Sequence, residues 1–144
     1  MKKATKFFGE IEVQDKDVIR FEDGIPGFMD LHEFILINDQ ETDFVYLQSA
    51  EKQQVCFIML PPALIVGNYD IDISEETVEK LKIKDPADVM LYSILTIPQD
   101  FKKMTANLKA PVVINLRNNK GRQEILDTEY YAVRHQVIKE ADAC

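Results

Sequence analysis

The sequence predicts a mostly β, single-domain fold carrying two or three short helices, and three observations carry that prediction. First, VMLYSILTI at residues 89–97 and VVINL at residues 112–116 are apolar runs rich in β-branched residues. They are too short for free-standing helices and are bounded by Pro98, Pro111 and Gly121, which marks them as buried strands. Second, residues 7–13 place Phe7, Gly9, Ile11 and Val13 on one face and Phe8, Glu10 and Glu12 on the other, the period of a half-buried strand, and residues 44–48 read as a further strand. Third, every helical signal is brief and soon interrupted by proline, glycine or an acidic loop. A chain of 144 residues is long enough to bury roughly two-thirds of its unfolded surface in one core, so no second domain is needed. Residues 1–139 are expected to form that domain, and residues 140–144 a frayed tail.

In chain order, residues 7–13 form the expected first strand. A turn at residues 15–17 and a strand at 18–21 would complete an opening hairpin. FEDGIPGF follows at residues 21–28. Gly24 and Gly27 bracket Pro26, whose fixed φ and missing N–H stiffen the loop and aim Phe28 at something. Two readings stand: Phe28 plugs into the core, or the loop is a rigid, partly apolar docking element. Asp30 and Glu33 have capping-box spacing, which predicts a short helix over residues 31–34 before a strand at 35–38. Strands at 44–48 and 55–60 are separated by polar turns. Pro61 and Pro62 forbid simple continuation, with residues 63–66 expected to resume the sheet as a bent or edge strand. Ser74 is placed as the N-cap of a short helix over residues 77–82, with Glu75 and Glu76 favourable toward its dipole and Val78 and Leu81 as its apolar stripe. Asp85 before Pro86 ends it. Residues 99–104 can make one helical turn, and residues 118–121 supply turn chemistry before a strand at 123–126. Residues 128–139 lack a decisive period and read as a final short strand or helix.

Charge and composition narrow the function. With 25 acidic against 17 basic side chains the net charge is −8, which opposes phosphate backbones and anionic membrane surfaces while permitting a basic protein partner. No direct contact with nucleic acid is expected. The longest uncharged run, residues 53–69, is shorter than the roughly 20 residues of a membrane span and is broken by Pro61, Pro62 and Gly67. The basic residues at 1–6 meet Gly9 and Glu10 before any signal-peptide apolar region develops, so a cytoplasmic location is expected. Cys56 sits in an apolar run and reads as a small buried hydrophobe; with Cys144 last in the chain, no disulfide framework is implied.

Catalytic, metal and cofactor signals are missing. His32 and His135 are the only histidines, neither has a ligand at metal-binding spacing, and no nucleophile elbow, zinc motif or phosphate loop occurs. The paired carboxylates fall in hydrophilic loops and at a helix terminus, which gives no acid–base signal. Asp70, Asp72 and Ser74 imitate the start of a calcium loop, but Glu75 stands where glycine is required and Leu81 where the closing glutamate should be. No cofactor is expected. A small β-barrel hydrolase or isomerase using scattered carboxylates is the alternative; it would need two buried carboxylates in one deep pocket. In TANLKAPVVIN, residues 105–115, Asn107 and Asn115 flank Pro111, where an amide can satisfy backbone groups that proline leaves unpaired.

GIPGF at residues 24–28, LTIP at 95–98, TANLKAPVVIN at 105–115 and RQEIL at 122–126 occur in the order in which they occur in the flagellar assembly factor FliW family, and the chain resembles that family over nearly its whole length. TANLKAP is the specific phrase; GIPGF alone would be weak. The resemblance implies a small antiparallel β-barrel-like fold and a non-enzymatic role. It also implies binding of newly made flagellin in the cytoplasm. On flagellin export, the freed factor would capture the basic RNA-binding repressor CsrA and so relieve repression of flagellin mRNA. Family motif positions matched here are Ile25, Pro26, Phe28, Asn107, Leu108, Pro111 and Asn115. They are the candidate partner-binding residues. Asp70, Asp72, Glu75 and Glu76 are the most concentrated acidic candidates for antagonism, acting by like-charge repulsion of RNA phosphates beside the repressor.

Overall fold

The computed structural model describes residues 1–138; the tail at 140–144 lies outside the described residues. Strands β3 (Val18–Arg20), β4 (Glu33–Asn38), β5 (Val45–Ser49), β6 (Cys56–Leu60) and β7 (Val89–Thr96) follow one another as antiparallel neighbours. β7 then pairs with β9 (Val112–Asn115), β9 with β10 (Lys120–Gln123), and β10 returns to β3 through one parallel register pair, Lys120 with Arg20. The result is a closed seven-stranded β-barrel. Closure removes the exposed sheet edges that an open sheet of these apolar strands would present.

Alternation along the strands fills the inside. Ile19, Phe34, Leu47, Met59, Tyr92, Val112 and Ile114 share one core with Phe21, Ile25 and Leu31 from the loop after β3. Burying each large side chain of this kind stabilises the fold by roughly 1.5–3 kcal/mol. Phe21 is wholly buried and meets Phe34 edge to face, with centroids 5.1 Å apart. It also lies over Gly121, where a Cβ would come within 2.5 Å of its ring. Glycine is needed there to let β10 approach.

Three coverings protect the outside of the barrel. The hairpin of β1 (Lys2–Ala4) and β2 (Glu10–Glu12) sits over β5, where buried Gln48 accepts from the Lys6 amide at 2.9 Å. The single α-helix, α1 (Glu75–Lys80), and the turn after it lie over β9, where the buried Asn115 amide donates to the Leu81 carbonyl at 2.9 Å. Finally β8 (Thr105–Ala106) pairs with β7 and with β11 (His135–Gln136), and Val137 and Ile138 pack with Leu95, Met104, Phe44 and Ile58 in a second cluster. The segment at 128–139 thus contributes a strand and not a helix within its described part.

Several local expectations are corrected. Residues 7–13 are not one strand: Gly9 has φ +65, the chain reverses, and Phe7 and Phe8 stack on Tyr46 from the hairpin tip. The opening hairpin therefore joins β1 to β2, while β3 pairs elsewhere. Residues 31–34 form no helix, because the Glu51 carboxylate accepts from the His32 and Glu33 amides and starts β4 at Glu33. After Pro61 the chain leaves the sheet in a 3-10 turn, Pro62–Leu64, opened by a proline that needs no amide partner. On α1 the buried residue is Thr77, with Leu81 just beyond the helix; Val78 is partly exposed. Strand β10 begins at Lys120, earlier than expected, because Asn119 adopts φ +55 and turns the chain at once.

Gly121→Ala should destabilise the fold by about 1–3 kcal/mol, since a methyl group forces the Phe21 ring out of its packed position. Urea denaturation followed by tyrosine fluorescence checks this; an unchanged midpoint would mean that β10 is free to move away from Phe21.

Candidate functional site

Two exposed surfaces flank α1. The first is built on FEDGIPGF. The Gly24 amide donates to the Phe21 carbonyl and the Phe28 amide to the Ile25 carbonyl, with Gly24 at φ +68 and Gly27 at φ +89. A Cβ on Gly24 would meet the Met29 backbone at 2.7 Å, so the loop closes on itself only with glycine there. Pro26 followed by Gly27 at positive φ is type II turn chemistry. The core plug is Ile25, which is buried, and not Phe28. Phe28 is 37% exposed and leans edge to face on Phe57, with centroids 5.3 Å apart. Met29 and Ile125 are more exposed still, and with Pro26 they line a groove of about 410 Å³.

Charged side chains tie this loop to α1. Asp23 meets Lys80 at 3.0 Å and Arg122 at 3.4 Å, and Glu76 meets Arg122 at 3.3 Å and Lys80 at 3.5 Å. The hydrogen bond it donates to Asp23 holds the Lys80 ammonium above its ordinary pKa. Glu76 is therefore spent on a structural network. The other members of the acidic group stand apart from it.

The second surface lies on the N-terminal side of α1. Asp70, Asp72 and Asp127, with Tyr130 and Tyr131, line a groove of about 520 Å³. Among the described residues, Asp70, Asp72, Glu75 and Asp127 have no cationic partner. Tyr69 stacks on Tyr131 and donates to the Leu108 carbonyl at 2.6 Å; burial pushes its phenol pKa well up. Ser74 caps α1 as expected, and buried Glu124 secures the cap by accepting from the Ser74 amide at 2.5 Å and the Thr77 hydroxyl at 2.7 Å. Glu124 was not legible as a buried acid, since RQEIL places it beside exposed Ile125 with no apolar period to follow. It is also the single buried carboxylate among the described residues.

The structure does not bring the motif residues into one site. Pro26 and Phe28 are exposed, but Ile25, Leu108, Pro111 and Asn115 are buried. Asn107 is half-buried, and its side-chain oxygen accepts from the Ala110 amide at 3.0 Å, closing the LKA turn. Leu108 and Lys109 receive the chain around them: the Leu108 amide donates to Ala132, and Lys109 accepts from Leu126. TANLKAP is thus a junction of the fold. His32 is equally structural, because its ring nitrogen at 2.9 Å from the Phe21 carbonyl must donate to it. His135 lies in β11. Cys56 is half-buried, and burial pushes its thiol up to about 11, well above reactive range at neutral pH. No helix among the described residues is long and apolar enough to cross a membrane.

Glu124→Ala should lower stability by about 1–3 kcal/mol, because the Ser74 amide and Thr77 hydroxyl lose their partner in a buried place. Loss of amide protection confined to α1 in hydrogen exchange would confirm the cause; uniform loss would point to the barrel.

Comparison with known proteins agrees with this architecture. The sequence profile described as FliW protein matches residues 2–137. The chain is 45% identical to the flagellar assembly factor FliW of Thermoanaerobacter pseudethanolicus over 138 residues, covering 94% of this chain and 92% of the relative. It is 41% identical to that of Geobacillus thermodenitrificans, covering 97% of each. A crystal structure of the flagellar assembly factor FliW superposes with a TM-score of 0.92 at 41% identity, over 97% of this chain and 99% of that one. From the barrel, the GIPGF loop and the TANLKAP junction together with these matches, it follows that the chain belongs to the FliW family of flagellar assembly factors.

Proposed function

We propose that this chain acts in the cytoplasm as a partner-switching protein, holding flagellin and, when released, binding the CsrA-type repressor so that flagellin mRNA is translated. The observation that carries the proposal is the division of the exposed surface. An apolar, proline-stiffened loop presents Pro26, Phe28 and Met29 beside Ile125, while unpaired carboxylates line a groove at the other end of α1. A rigid apolar loop suits a protein chain with exposed apolar surface, as a subunit awaiting assembly has. A −8 molecule seated beside an RNA-binding surface lowers the affinity of that surface for phosphate without covering it. Family membership supports a role in flagellar assembly, a role defined by association and not by a reaction.

Within this proposal Phe28 docks flagellin, and Ile25 holds the loop that presents it. Asp70, Asp72 and Glu75 supply the repulsion. Glu76, engaged by Lys80 and Arg122, contributes less.

Size-exclusion chromatography with flagellin and repressor, singly and mixed, should give two exclusive complexes. Phe28→Ala should weaken flagellin binding by about tenfold or more while the melting temperature falls by only a few degrees, the ring being partly exposed. Retained flagellin affinity would remove Phe28 from the interface. Reversing Asp70, Asp72 and Glu75 to lysine should leave the repressor bound to its RNA in the presence of this protein. If RNA is still released, charge repulsion at this patch is not the means of antagonism.

A further inference from the structure

Next to the acidic groove lies an apolar one of about 350 Å³, lined by Ile71, Ile73, Val78, Ile83, Val89 and Leu91. The two grooves share Ile71 and Asp72, so they meet along the segment that leads into α1. On this segment apolar and acidic residues alternate, Asp70, Ile71, Asp72, Ile73, as in a strand. Yet it belongs to no sheet, and the amides of Ile71, Asp72 and Ile73 make no hydrogen bond within the described residues. Its ends are held, by Tyr131 at the Asp70 amide and by Glu124 at the Ser74 amide. It is therefore a pre-positioned backbone with free donors, an apolar groove on one side and carboxylates on the other.

We infer that this segment docks an extended stretch of a partner protein in which apolar side chains alternate with lysine or arginine. The free amides would take the added strand, the Val78–Leu91 groove its apolar side chains, and Asp70, Asp72 and Asp127 its cations. Charge complementarity selects the occupant: no lysine or arginine lines either groove, and Tyr130, 83% exposed, offers a ring face to a cation. A second copy of this anionic chain or a nucleic acid would bring like charge against the three carboxylates. The inference rests on the proposed binding of a basic partner and names the seat and chemistry of that partner's segment.

The test is a titration of the isotope-labelled full chain with a short acetylated peptide of alternating valine and lysine, read by amide chemical shifts. A valine and glutamate peptide is the comparator. Saturable shifts at residues 71–73, at Val78 and at residues 127–131 are expected, with no binding of the comparator. Asp72→Lys and Val78→Lys, both at exposed positions, should each weaken binding by about tenfold with an unchanged melting curve. Absence of saturable shifts there, or wild-type affinity in both variants, overturns the assignment. Chromatography of the wild-type chain with the intact CsrA-type repressor is run separately. Co-elution with a failed peptide titration removes only the groove, whereas peptide binding without co-elution removes only the repressor reading.

Discussion

The barrel is held shut at its weakest join, the contact of β3 with β10. Only one register pair links these strands, and they run parallel, so a ladder of backbone hydrogen bonds contributes little there. What closes the seam is shape: Phe21 lies across Gly121, meets Phe34, and brings Ile25 and Leu31 behind it into the core. About a hundred residues of chain separate the two sides, and the entropy of closing that loop must be offset by this packing. Arg20 adds a hydrogen bond from its amide to the Asn119 carbonyl, and Asn119 reaches Lys16.

The same residue that seals the barrel begins the loop at its rim. Phe21 accepts from Gly24 and from His32, so the conformation of FEDGIPGF is set by the core beneath it. Exposed Pro26, Phe28 and Met29 consequently stand on a rigid base. A surface held in this way would lose little entropy on binding.

Outside the barrel, buried polar side chains act as fasteners. Gln48 holds the first hairpin, Asn115 holds the turn after α1, and Glu124 holds the start of that helix. Each binds backbone groups that the local chain leaves unpaired, so a single side chain satisfies a buried amide or carbonyl and fixes a covering element at once. Their polar character is visible in sequence, but their burial is not, and that difference explains why the motif phrases look functional while much of what they contain is structural.

The strands at β3 to β7 and β9, the cap at Ser74, the anionic character and the family phrases were legible in the sequence, because apolar period, turn chemistry and net charge are local or additive quantities. Barrel closure, the identity of the core plug in FEDGIPGF and the burial of Glu124 were not. Phe28 and Ile25 are equally apolar on paper; the positive φ at Gly24 and Gly27 decides which of them turns inward. Asp30 and Glu33 looked like a capping box until Glu51, eighteen residues beyond Glu33, took the Glu33 amide for a strand. Local preference proposes an element, whereas partners distant in the chain decide its fate, since a buried amide must find an acceptor wherever the fold provides one.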